Sequence, residues 1–250
     1  MAGTLFGGYL VDYSGWRAIF WLITMVGIGL AALAATLLAE TNRYLGQART
    51  LGQILREARE LLSVPMFWGY TGAAAFASGM FFSFLGVAPY IFEKIMGEPP
   101  SHFVNYFILM SIGYMAGNFA SAKLAARLGP VKMLGLGVVL ATIGIALFWL
   151  MSGINRPIAL FLPMMFMTFS NGVTLPSATV GAMALRPALS GTASGVGGMV
   201  QMLIASSMTT VVGAMLSTSS LPMLVAMTIC WLASALCALL VYRRTRLSVS

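Results

Sequence analysis

Three amide side chains stand inside long apolar runs of this chain: Asn118, Asn171 and Gln201. An amide offers two donors and an acceptor. At low dielectric those groups are costly unless they are paired or line a wet cavity. The chemistry they suit is recognition by hydrogen bonding. Catalysis has no equivalent candidates. All six carboxylates (Asp12, Glu40, Glu57, Glu60, Glu93, Glu98) fall in loops or connectors, and the single histidine, His102, reads as a solvated loop residue. Cys230 and Cys237 lie on one predicted helix with roughly 10 Å of rise between them, too far for a disulfide. No acid–base pair, nucleophile triad or metal cluster is present in the pattern, so neither an enzyme nor a cofactor is expected.

Aromatic and small residues surround the amides. In the uncharged run 66–92, Gly72, Phe76, Gly79, Ser83, Gly86 and Tyr90 recur at steps of three and four, so they share one helical face. Phe107, Ser111, Tyr114 and Asn118 form a second stripe. Two readings fit. In one, Phe76, Ser83, Tyr90, Phe107, Tyr114, Asn118, Asn171 and Gln201 line a cavity for an apolar ligand, with few polar groups as such pockets have and the 19 methionines as an adaptable surface. In the other, the glycines admit a neighbouring helix and the polar groups join helices together.

The elements that must position these residues are membrane helices. The chain is 59% hydrophobic and 8% charged, with mean hydropathy +0.91, against about 25% charged residues in a soluble domain. Uncharged runs over 18–38, 66–92, 103–122, 133–151, 158–185, 189–216 and 221–242 are each long enough for the roughly 30 Å hydrocarbon core. That is an all-α, polytopic membrane protein with seven complete spans, preceded by an apolar stub over 1–11. Pro89 is expected to interrupt the second span near its end, and Pro163 and Pro176 to break the fifth. Helices interrupted at corresponding positions, 66–92 and 158–185, suggest a transporter with inverted repeats.

Alternating the loops sorts the cations. One side holds Arg43, Arg49, Arg56, Arg59, Lys123, Arg127, Lys132, Arg186, Arg243, Arg244 and Arg246; the other holds Arg17, Lys94 and Arg156. By the positive-inside rule the first side is cytoplasmic, the C-terminus with it. The net charge of +8 is thereby explained without nucleic acid, and the partner implied is the lipid bilayer. The polar connector 40–65 carries Leu51, Ile54, Leu55, Ala58, Leu61 and Leu62 on one helical face, which predicts an amphipathic helix on the membrane surface.

The sequence also carries a family likeness. Gly3-Thr4-Leu5-Phe6-Gly7-Gly8 resembles the end of the antiporter motif in the fifth helix of major facilitator drug exporters, with Thr4 where the family usually has Pro. GGYLVDYSGWRAIFW, GMFFSFLGVAPYIFEKIMGEPPSHFVNYF and LSGTASGVGG resemble the bicyclomycin-resistance (Bcr/CflA) drug:proton antiporters over essentially the whole chain. The loop 122–132 looks like a copy of the superfamily's cytoplasmic-loop motif, with Arg127, Gly129 and Lys132 present and Ala126 in place of the usual Asp.

The resemblance implies a C-terminal portion of a twelve-helix transporter of the inner membrane. Residues 1–39 would close the N-terminal bundle, 40–65 connect, and 66–250 form the C-terminal six-helix bundle. It implies multidrug efflux of small amphiphilic compounds by alternating access, with the proton-coupling acid in the N-terminal half. The spans themselves contain no Asp, Glu or His to carry a proton at membrane depth. The competing reading is a self-sufficient seven-span scaffold or receptor, which would have no use for the stub.

Overall fold

The computed structural model describes residues 15–37, 50–215 and 220–247, and these are helical nearly throughout. In chain order the helices are α1 (Trp16–Leu37), α2 (Leu51–Leu62), α3 (Pro65–Tyr90), α4 (100–128), α5 (130–151), α6 (Pro157–Ala184), α7 (Ser190–Ala214) and α8 (Leu221–Leu247). The chain divides into two compact units, Met1–Thr50 and Leu51–Ser250. In the first unit, α1 is a 22-residue apolar helix, roughly 33 Å long. Its Thr24 and Thr36 return their hydroxyls to the backbone carbonyls of Phe20 and Ala32, so neither presents an unpaired donor to lipid. The predicted stub lies outside the described residues.

In the second unit, proline marks where helices begin. Pro65, Pro100 and Pro157 each open a helix after a residue in extended backbone: Val64, Pro99 and Arg156. The missing N–H costs nothing at the first turn, and proline pushes its predecessor out of the helical region. Inside the helices proline behaves differently from the expectation. α6 runs unbroken through Pro163 and Pro176, and α3 passes Pro89 to end at Tyr90. Neighbouring helices and local adjustment satisfy the freed carbonyls, which is why membrane helices tolerate proline. The adjustment after Pro89 is visible. Residues Ile91–Ile95 widen into a π turn, closed by the Met96 N–H donating to Ile91 O at 3.0 Å.

Among the described residues six helices are long and apolar enough to cross a membrane, and one of these covers His102–Met151. At 50 residues it is about twice the length a bilayer needs. It reverses at Gly129, whose φ of 72° and ψ of 165° are non-helical. The glycine contacts prove the reversal. Along α4, Gly113 abuts Met165 and Thr168, then Gly117 abuts Phe169 and Gly172; along α5, Gly137 abuts Thr174, then Gly144 abuts Met167 and Pro163. One arm follows α6 upward in number and the other downward, so α4 and α5 form a hairpin and the described residues supply seven helices of crossing length, one for each of the seven uncharged runs.

α3 and α6 are the most buried helices. α7 and α8 pack on α3, while the α4–α5 hairpin packs on α6. α5 also meets α8 through a reciprocal clasp. Trp149 Nε1 donates to Thr228 Oγ1 and Trp231 Nε1 donates to Thr142 Oγ1, both at 3.1 Å. At one end of the bundle Phe161 is fully buried among Phe84, Phe92, Phe103 and Tyr106, with ring centroids 5.2–5.9 Å away. The other end closes on Leu61, Phe67, Tyr70, Leu134 and Val241. Leu61 belongs to α2, which therefore docks on the bundle. Glu57 accepts from Thr192 Oγ1 at 3.0 Å, and Glu60 lies 3.7 Å from Arg186. Leu55 and Leu62, expected on the same apolar face as Leu61, are exposed. The stripe is thus divided between the bundle and the outside.

Candidate functional site

The polar groups of the bundle gather on the two sides of α6. On the α3 side, Thr71 and Ser78 are seven residues apart, two turns, and share a face. Across from them, Gln201 of α7 donates from Nε2 to Ser78 Oγ at 2.6 Å. A cavity of about 140 Å³ opens between α3, α6 and α7, lined by Tyr70, Thr71, Ala178, Ser194, Gly197 and Gln201 among others. Glycine at 197 keeps it open: a Cβ there would meet nothing nearer than Thr71 Oγ1 at 3.8 Å. Tyr70 rests its ring on Gly181. The antiparallel register set by that contact brings Ser78 and Met80 to the level of Val173 and Asn171. Asn171 is 5% exposed.

On the α4 side, α4 and α6 approach backbone to backbone. A Cβ on Gly172 would fall 2.6 Å from Tyr114 O and 2.7 Å from Asn118 N. Just beyond this crossing lies a cavity of about 390 Å³ lined by Asn118, Ser121, Pro176, Ser177 and Val180 among others. Asn118 Nδ2 donates to Tyr114 O at 2.9 Å, which leaves its oxygen available.

Three buried side-chain oxygens among the described residues have no hydrogen-bond partner in the chain: Thr71 Oγ1, Asn171 Oδ1 and Ser177 Oγ. All three belong to this polar zone. Each such group costs about 1–3 kcal/mol when left unsatisfied. The zone also contains no ionisable carboxylate, lysine, arginine or histidine; it is built from neutral amides and hydroxyls. Among the described residues no three His, Cys, Asp or Glu side chains come together as a metal site.

The eight predicted lining residues therefore separate. Gln201 and Asn118 line the two cavities, whereas Asn171 is buried in α6 and lines neither. Ser83 does not line either. It is fully buried and donates to Gly79 O at 2.7 Å. Its stripe is a packing face: Gly72 meets Cys237, Gly79 meets Cys230 and Ile204, and Gly86 meets Thr209. Phe76 and Phe107 pack against the cluster around Phe161, Tyr114 is half-buried, and Tyr90 is exposed at the helix end. Thr71, Ser78 and Ser177 were not singled out by the sequence, although the seven-residue spacing of Thr71 and Ser78 was a legible signal. Of the motif residues, Arg127 and Lys132 are exposed and Gly129 makes the reversal; Gly3, Gly7 and Gly8 lie outside the described residues.

A profile of the Major Facilitator Superfamily matches residues 1–210. The chain belongs to that superfamily. Among major facilitator relatives it is 27% identical over 241 residues to a bicyclomycin resistance protein homolog of Haemophilus influenzae, covering 94% of this chain and 60% of that protein. It is 26% identical over 227 residues to an uncharacterised MFS-type transporter of Bacillus subtilis, covering 89% and 56%. A crystal structure of a bacterial homologue of the human lysosomal transporter Spinster, inward-facing and unoccupied, shares the fold with a TM-score of 0.58 at 14% identity, covering 97% of this chain and 65% of that one. The chain spans 56–60% of the length of these two sequence relatives.

Proposed function

We propose that this chain is the C-terminal bundle and preceding helix of a multidrug exporter, which moves small amphiphilic compounds out of the cell by alternating access. The observation that carries the reading is the polar zone around α6, within a superfamily of transporters and with a bicyclomycin resistance homologue among its relatives. Unpaired oxygens beside two cavities give a ligand hydrogen-bond partners, and the surrounding apolar walls give it contact area. Gln201 and Thr71 serve one cavity, Asn118 and Ser177 the other. Rocking of this bundle against a second one would expose the site to each side in turn.

Proton coupling is assigned to a second bundle, because the uncharged runs of this chain hold no Asp, Glu or His, and Glu93 and His102 stand at helix ends. The reading puts the chain in the inner membrane, and the cation asymmetry supports a cytoplasmic C-terminus. The test is dye accumulation in a bacterial strain stripped of its major exporters. Expression of this chain joined to an N-terminal bundle of the same family type should lower the intracellular level of a fluorescent amphiphile, and a proton uncoupler should restore it. An unchanged level with the protein present in the membrane would overturn the reading.

A further inference from the structure

The geometry points to a specific site for one anionic phospholipid, in the groove between the α4–α5 reversal and the end of α8. The groove has a volume of about 640 Å³, within the roughly 300–1,000 Å³ that ligand cavities occupy. Its floor is Leu128, Pro130, Val131 and Tyr242, and its polar edge carries Lys132 and Arg246. Arg246 is held over the Tyr242 ring at 4.8 Å, a cation–π contact that fixes the guanidinium beside the apolar floor.

Among the described residues the charge around the groove is of one sign. Arg127, Arg243 and Arg244 stand near it in the chain, and no ion pair joins Lys132 or Arg246 to a carboxylate among the described residues. The two described acids at this end of the bundle are engaged on α2, Glu57 with Thr192 and Glu60 with Arg186. An apolar slot with two cations at its rim matches an acyl chain and a phosphate in one molecule. Basic pockets between helices at a membrane surface select anionic headgroups on these grounds. A soluble phosphate would use the cations and leave the floor unfilled; a zwitterionic lipid would fill the floor and bring its own cation to the rim. The site goes beyond the transport reading: it borders the larger cavity of the polar zone at Pro130 but shares none of that cavity's polar side chains.

The experiment is native mass spectrometry of the purified protein in micelles doped with equal phosphatidylglycerol and phosphatidylcholine. The wild type should retain one phosphatidylglycerol in preference. The double variant Lys132→Gln/Arg246→Gln should lose that preference by roughly tenfold, as expected for two cations removed from an anionic lipid contact. Leu128→Glu, which adds a carboxylate to the floor, should lose it too. Arg243→Gln/Arg244→Gln removes the same charge outside the groove and should keep it. Equal loss in both double variants would reduce the effect to diffuse surface charge and overturn the proposal. So would equal retention of the two lipids by the wild type, or displacement of the lipid by glycerol 3-phosphate at comparable concentration. Thermal unfolding of each variant in the same micelles separates loss of lipid from loss of fold.

Discussion

Gln201 and Ser78, 123 residues apart in sequence, are joined by a 2.6 Å side-chain hydrogen bond between α7 and α3. The bond ties Gln201, which lines the smaller cavity together with Thr71, to α3. In a full-length protein restored with an N-terminal bundle, Gln201→Leu should therefore change drug resistance while leaving the amount of protein in the membrane unchanged. A polar contact between membrane helices is worth only about 0.6 kcal/mol on average, so stability should barely move. Resistance and membrane abundance measured on the same cells check this. Disappearance of the variant from the membrane, or wild-type resistance, would make the contact a packing bond alone.

Asn118 makes a matched case on the other side of α6. Its nitrogen is already used within α4 by the Tyr114 carbonyl, and the residue lines the larger cavity. Asn118→Leu should alter the spectrum of compounds resisted, again at unchanged abundance. Asn118→Asp would place a charge in the same cavity and is expected to shift selectivity toward cationic amphiphiles. Minimum inhibitory concentrations across charged and neutral compounds provide the readout.

The α4–α6 crossing should tolerate no side chain at Gly172. A Cβ there would come within 2.6–2.7 Å of backbone atoms of Tyr114 and Asn118, and backbone cannot yield as a flexible side chain can. Gly172→Leu should abolish stable insertion. Gly129→Ala is the contrasting change: it meets nothing within 4 Å but inherits φ of 72°, a penalty of about 1–2 kcal/mol. Membrane abundance and unfolding temperature in detergent should rank Gly172→Leu far below Gly129→Ala, with the latter only a few degrees under wild type.

The aromatic cluster offers a stability test independent of transport. Phe161 is fully buried against four other rings. Phe161→Ala costs about 3–5 kcal/mol in a soluble core. In lipid the transfer part of that cost falls away and packing remains, so a loss of about 2 kcal/mol is expected. Thermal unfolding in detergent measures it, and an unchanged midpoint would show that the cluster is not a packing centre.

Much of this architecture was legible because lipid imposes simple rules. Uncharged runs gave the seven crossings, and Gly129–Pro130 between Arg127 and Lys132 marked the reversal that length alone required. The internal prolines misled, since Pro163 and Pro176 break helices in water but sit inside a continuous α6 here. The α3 stripe was ambiguous for a physical reason. Glycine and serine at helical spacing serve a cavity wall and a close helix contact equally well, and only the positions of Cys230, Cys237 and Thr209 against Gly79, Gly72 and Gly86 decide for contact. Pairings such as Trp149 with Thr228 and Trp231 with Thr142 join residues 79 and 89 positions apart, a separation at which one sequence carries no signal. The two cavities were out of reach for the same reason.

The division of labour between this chain and its partner bundle is the central claim, and drug-dependent proton movement tests it most directly. The purified chain is placed in liposomes containing a pH-sensitive dye, a pH gradient is imposed, and a panel of amphiphilic drugs is added. The account predicts proton flux no greater than in empty liposomes, because its uncharged runs lack Asp, Glu and His, and flux that appears when an N-terminal bundle of the same family type is co-reconstituted. Drug-dependent proton flux through the chain alone would contradict it.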